Sequence, residues 1–150
     1  MPADTAESPD DMAHLVGKSL PGGHYRLEPF ENWLAHDALY STPRANPHPI
    51  MAYVATQRGM GMTVAELFEM LGTDMTQGPL LAGCTLEFPG ELRTATDYTV
   101  AASIVSVVRK ETRAAGPVVF VTCRMELAES ATGQVEAIVT NVYALPGSSS

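Results

Sequence analysis

The chain has 150 residues, 45% of them hydrophobic, and a formal net charge of −8. That length fits one domain, which buries roughly 68 to 70% of its unfolded surface and so holds a core without covalent staples. The charge excludes a general nucleic-acid or anionic-membrane binder, which needs a net basic face. No basic leader with an apolar stretch opens the sequence, and no apolar run approaches the roughly 18 residues a spanning helix needs. The expectation is a cytoplasmic protein with no membrane or nucleic-acid partner. Its two cysteines, Cys84 and Cys123, sit in apolar strand-like runs with no His or Cys at metal-ligand spacing. They read as buried free thiols in a reducing cytosol, with no metal.

Residues 1–13 are rich in Pro, Asp, Glu and Ser and lack periodicity, the composition of a solvated tail, and 147–150 end the chain the same way. Between them, 14–146 is expected to form the domain. His24 to Glu28 alternates as a short strand after the turn signal Pro21-Gly22-Gly23. Phe30, Trp33, Leu34 and Asp37 fall at helical spacing, so a short helix is predicted over Phe30 to Leu39. The three prolines between Ser41 and Pro49 make that stretch a loop.

The most sustained helical rhythm runs from His48 to Leu71. Pro49 suits a first turn, Ile50, Tyr53 and Val54 repeat the i, i+3, i+4 spacing, and Val64, Leu67, Phe68 and Leu71 form one stripe. Thr63 followed by Glu66 is a capping-box start, and Gly72 is a stop. Gly59-Met60-Gly61 should kink or break the segment. Four strands are then predicted in succession as an antiparallel meander: Leu80 to Phe88, Tyr98 to Lys110, Val118 to Leu127 and Val135 to Leu145. The second is apolar on both parities toward its end, as in a strand covered on both faces. The class is α+β, one helix against one antiparallel sheet.

Trp33 to Ala38, His48-Pro49 with the helix to Leu67, Gly78 to Cys84, Arg109 to Gly116 and Thr140 to Pro146 occur in an order and spacing that resembles the MaoC-like hot-dog proteins. More narrowly, the pattern resembles the N-terminal-type, non-catalytic half of actinobacterial acyl-thioester dehydratases. The resemblance covers about Leu15 to Pro146. It implies a hot-dog fold, in which a central helix is wrapped by a curved antiparallel sheet. It also implies pairing with a second hot-dog subunit as a homodimer, heterodimer or tetramer. The ligand would be an acyl-CoA or acyl-phosphopantetheine thioester, with no further cofactor.

Hydratases of that family carry an Asp-x-Asn-Pro-x-His loop, whose Asp and His activate water for addition to an enoyl thioester. The chemistry needs an acid–base pair near the α,β carbons and a donor on the thioester oxygen. Here the corresponding segment is His36 to Thr42. Asp37 can stand for the family's Asp, but Leu39, Tyr40 and Thr42 occupy the Asn, Pro and His positions. Asn46-Pro47-His48 has Arg44 where the Asp should be. The resemblance therefore implies an acyl-binding subunit beside a catalytic partner, and the alternative is a self-sufficient hydratase using Asp37 or His48 in a variant site. A hot-dog thioesterase, with Glu66 or Glu69 on the helix, and a non-enzymatic acyl-CoA sensor are further alternatives. Outside the fold, a conical barrel of the ketosteroid-isomerase type would want more helix before its first long strand.

Each candidate has two readings. His48 can be a base at the helix entrance, where the dipole depresses its pKa, or an N-cap-like residue before Pro49. His36 and Asp37 can be a remnant acid–base pair or a solvated helix end. Arg109, Lys110 and Arg113 can grip the phosphates of CoA or phosphopantetheine, or keep a hairpin tip soluble. Pro49 and Tyr53 are expected to line the thioester site, and Gly59 and Gly61 either admit the thioester or accommodate a kink. Met51, Met60, Met62, Met70 and Met75 can line an acyl tunnel or fill the core.

Overall fold

The glycines expected to interrupt the central segment do so. A computed structural model describes residues 13–42 and 46–147. The expected tail up to position 12, residues 43–45 and residues 148–150 lie outside that description. Helix α2 (Ile50–Gly59) ends at the glycines, and a separate helix, α3 (Val64–Met70), follows. Gly61 has φ +83°, and a Cβ there would lie 2.2 Å from the carbonyl oxygen of Gly22. Only glycine lets the chain pass so close. Thr63 and Glu66 close the capping box in both directions, each bond 3.0 Å long. Leu67, Phe68 and Leu71 are buried and Val64 packs against the core. The ring of Phe68 meets Tyr143 edge to face at 5.4 Å.

Around these helices lie strand β1 (Gly23–Leu27), helix α1 (Pro29–Ala38) and strands β2 (Leu80–Glu87), β3 (Thr96–Thr112), β4 (Gly116–Glu129) and β5 (Val135–Pro146). All neighbours pair antiparallel, in the order β1-β3-β4-β5-β2. The meander is therefore only β3-β4-β5. The first long strand, β2, does not pair with its successor as expected, but lies at the far edge beside β5. An eight-residue connection containing Pro89-Gly90 separates β2 from β3, too long for a tight hairpin and free to cross the end of the sheet.

One sheet face is apolar and holds α2, which touches β1, β3, β4 and β5. Tyr98, Val100, Ile104, Val119, Val121, Cys123, Met125, Leu127, Val139 and Leu145 close the core beneath the helices. Register shifts mark three extra residues: Val105 between Ile104 and Ser106, Ala82 between Leu81 and Gly83, and Glu136 on the strand facing Leu127 and Ala128. Cys123 is buried, but Cys84 is exposed on edge strand β2, so the expectation of two buried thiols is corrected for Cys84. An edge strand has no neighbour to cover its outer flank.

Helix α1 presents its faces opposite to the usual rule. Phe30, Trp33 and Leu34, the stripe the spacing identified, are exposed, whereas Asn32 and His36 are buried. Tyr25 donates to Glu31 at 2.5 Å, and Arg58 pairs with the same carboxylate, so β1, α1 and α2 are tied together. Burial first, and then the Glu31 hydrogen bond, push the Tyr25 phenol up to about 12.

Candidate functional site

The polar face of α1 is turned inward because it holds the loop that leads into α2. The Asn32 side-chain oxygen accepts the His48 backbone N–H at 2.9 Å, and its amide nitrogen donates to the Asn46 carbonyl at 3.4 Å. His36 lies 3.3 Å from the same carbonyl through Nε2 and 2.9 Å from the Ser41 hydroxyl through Nδ1. A carbonyl only accepts, so Nε2 carries a proton, while the Ser41 hydroxyl can pair with Nδ1 in either role. Both imidazole nitrogens are thus engaged, and the ring is buried.

His48 Nδ1 accepts the Ile50 amide at 3.0 Å, which places the neutral ring's proton on Nε2. Burial, and then the proximity of His36, lower its pKa below the ordinary 6.5. The contact with the Ile50 amide is the N-cap-like arrangement, and the causes of the lowered pKa are burial and His36 rather than the helix dipole. The next amides are also used, Met51 N–H by the His48 carbonyl and Ala52 N–H by the Pro49 carbonyl, both inside the first turn. Pro49 has no N–H to give. The helix entrance therefore offers its Nε2–H rather than a free backbone amide.

Beside this entrance Asn46, Pro47, Pro49, Phe88, Gly90, Glu91 and Leu92 line a cleft of about 220 Å³. The 88–92 wall is fixed by Glu136, the extra residue of β5, whose buried carboxylate accepts the Glu91 N–H at 2.7 Å. Gly90 leaves room for it, because a Cβ there would sit 1.9 Å from the carboxylate. Glu91 is the titratable side chain among the lining residues. Sequence reading singled out neither Asn32 nor Glu136. Neither carried a sequence signal: Asn32 lies opposite the apolar stripe of α1, and the burial of Glu136 depends on the β-bulge.

Of the expected site residues, the structure gathers His48 and Pro49 at the entrance and Tyr53 one turn further along α2, half-buried, its phenol pushed up by burial. Asp37 is exposed on α1, on a different face from its buried neighbour His36. The close approach that Gly59 permits is to Val100 and Tyr25, and that of Gly61 is to Pro21 and Gly22, which is the kink reading. Met51 and Met60 are fully buried, Met62 and Met70 pack on the core, and Met75 is exposed.

Arg109, Lys110 and Arg113 lie at the β3–β4 tip. Glu87, at the cleft end of β2, shares a row with Ala101 of β3 through Ile138 and Glu126. Arg109 is therefore roughly 25 Å further along the sheet at about 3.4 Å per residue. Arg109 pairs with Val119 on the inner face, whereas Lys110 is on the outer face with its ammonium 5.6 Å from the Phe120 ring. Within one chain these cations do not join His48. Among the described residues, no group of three or more His, Cys, Asp or Glu could hold a metal, and no helix is long and apolar enough to cross a membrane.

No protein-family model and no curated protein sequence matches the chain. Solved structures do. A chain of the ChsH1-ChsH2 complex from Mycobacterium tuberculosis is similar over 98% of this chain and 94% of its own, at 16% identity and TM-score 0.64. A chain of HadBC, the 3R-hydroxyacyl-ACP dehydratase complex of the same organism, is similar over 87% and 96%, at 11% identity and TM-score 0.65. A gentisyl-coenzyme A thioesterase is similar over 81% and 84%, at 13% identity and TM-score 0.52. At such identities the likeness is one of fold, and one fold hosts several reactions. In fold, the chain is a hot-dog protein of the kind to which the MaoC-like dehydratases belong.

Proposed function

We propose that this chain is the acyl-thioester-binding subunit of an enoyl-thioester hydratase or 3-hydroxyacyl-thioester dehydratase, working beside a second hot-dog subunit that supplies the acid–base pair. The observation that carries the reading is the state of the two histidines. The basic nitrogen of His48 is occupied by the Ile50 amide, and both nitrogens of His36 are engaged in a buried setting. Asp37, the remaining candidate, stands apart on the exposed face of α1. Glu91 is the one titratable group lining the cleft, with no histidine beside it among the lining residues to complete an acid–base pair, and a general acid–base group contributes about 10²- to 10⁴-fold. Pro49, Tyr53 and the cleft beside the helix entrance form the thioester-binding part. Arg109, Lys110 and Arg113, remote from this chain's own cleft, serve in this reading a ligand bound across a subunit boundary. The two heteromeric complexes among the fold neighbours support a paired arrangement.

The test is turnover of crotonyl- and longer enoyl-CoA by the purified chain, alone and with a hot-dog partner carrying the Asp-x-Asn-Pro-x-His loop. Binding of the thioester with little hydration until the partner is added is the expected result. Hydration by the chain alone at an ordinary enzymatic rate, on the order of 1 to 10³ per second, would refute the accessory role. Asp37→Asn, His48→Ala and Glu91→Gln would then locate the working group.

A further inference from the structure

We infer that Glu91 makes the cleft beside the α2 entrance a charge filter for the acyl group, taking a short acyl end that is neutral and hydroxylated and turning away one that ends in a carboxylate. Resting on the reading of that cleft as part of the thioester site, the filter defines which acyl groups the site accepts. At about 220 Å³ the cleft is smaller than the roughly 300 to 1,000 Å³ of a site that takes a whole drug-sized ligand, so it receives one end of the thioester only. Pro47, Pro49, Phe88 and Leu92 supply apolar walls, and Glu91 is the one charged side chain among the described lining residues. Arg93, the nearest cation to it in sequence, is exposed and outside the lining.

An anionic acyl end would need hydrogen-bond donors, and those of the walls are already engaged. The Gly90 N–H donates to the Glu136 carbonyl at 3.3 Å and the Glu91 N–H to the Glu136 carboxylate at 2.7 Å. Pro47 and Pro49 have no N–H, and the amide between them, that of His48, donates to Asn32. Glu136 is buried directly behind Gly90, so a second carboxylate backs the wall in a setting that salt screens weakly. The cations at the β3–β4 tip, roughly 25 Å along the sheet, lie well beyond the about 8 to 10 Å over which exposed charges act at ordinary salt. A hydroxyl meets the opposite situation. It donates to the Glu91 carboxylate, which only accepts, and a hydrogen bond to an ionised acceptor is about twice as strong as a neutral one.

Isothermal titration of the full chain with butyryl-, 3-hydroxybutyryl- and succinyl-CoA tests this, in the wild type, Glu91→Gln and Glu91→Lys. The carrier is the same in all three ligands, so affinity ratios separate the acyl end from the effect of the net charge of −8 on CoA. The wild type should bind succinyl-CoA at least about fivefold more weakly than butyryl-CoA, the scale of two unit charges about 4 Å apart in bulk water. It should bind 3-hydroxybutyryl-CoA about tenfold more tightly than butyryl-CoA, the scale of a hydrogen bond to a charged acceptor. Glu91→Gln should bring the succinyl-to-butyryl ratio close to one, and Glu91→Lys should reverse the preference. A ratio that is the same in the wild type and Glu91→Gln overturns the filter, as does equal wild-type affinity for 3-hydroxybutyryl- and butyryl-CoA. In both cases butyryl-CoA still binds and the thioester reading stands. If none of the three ligands binds, that reading falls and the filter with it.

Discussion

His36 and His48 meet edge to face, their ring centroids 5.2 Å apart and their planes at 77°. The His48 ring accepts the Ile50 amide through Nδ1, a bond that protonation of that nitrogen would break. The folded pKa of His48 is depressed, so the native state binds fewer protons there than the unfolded chain does. Its contribution to stability is complete above about 6.5 and is lost as the pH falls through the lower folded value. Proton NMR of the His48 ring should give a midpoint below that of a free imidazole. A midpoint at or above it would show that the Ile50 bond does not hold in solution. His48→Ala should cost about 1 kcal/mol, the scale of a lost helix cap, measurable by urea unfolding at pH 7.5.

Phe68→Ala removes a ring that is buried and packed edge to face against Tyr143. Loss of a buried aromatic costs about 3 to 5 kcal/mol, and urea denaturation should return a value in that range. A change below about half a kcal/mol belongs to surface positions and would place α3 outside the core.

Gly61 and Gly133 both have positive φ, +83° and +75°, but only Gly61 faces a close neighbour, since nothing lies within 4 Å of a Cβ at Gly133. Gly133→Ala therefore reports the conformational penalty alone, about 1 to 2 kcal/mol. Gly61→Ala should cost distinctly more, because the added methyl meets the Gly22 carbonyl. Equal losses from the two substitutions would mean that the Pro21–Gly22 segment moves away freely.

The two cysteines should differ as sharply as their settings. Cys84 is exposed on the edge strand, while burial pushes the Cys123 thiol up to about 11, and the thiolate is the reactive form. An aromatic disulfide reagent should titrate one thiol per native chain and two in denaturant. Two fast equivalents under native conditions would show that the β4–β5 core opens readily.

The helices and strands were legible because their periodicities are strong: Val64, Leu67, Phe68 and Leu71 could lie on one stripe only in a helix, and Thr63 with Glu66 marked its start. The partner of β2 was not legible, since pairing order depends on where an eight-residue connection goes and no local pattern records that. In α1 the spacing was legible and the facing was not. Phe30, Trp33 and Leu34 marked a helix, but which of its faces turns inward is decided by the hydrogen bonds of Asn32 and His36 to the 41–48 loop. At the site, His48 could be named from its place before a helix. Its tautomer could not, because that depends on where the Ile50 amide points. The basic run at 109–113 looked like one cluster in sequence and is divided between two faces in space.

A β-strand has a reading frame of two, and Val105 shifts it. Before that residue the even positions Val100, Ala102 and Ile104 point to the core; after it, the odd positions Val107 and Arg109 do. Deleting Val105 would restore one-to-one pairing with β4 while keeping every later side chain on its present face. Adding a residue at the same place would keep that alternation only by sliding the rest of the strand two residues against β4, breaking every pair from Ser106 with Thr122 onward. Of two changes equal in length, the strand can absorb the deletion and not the insertion.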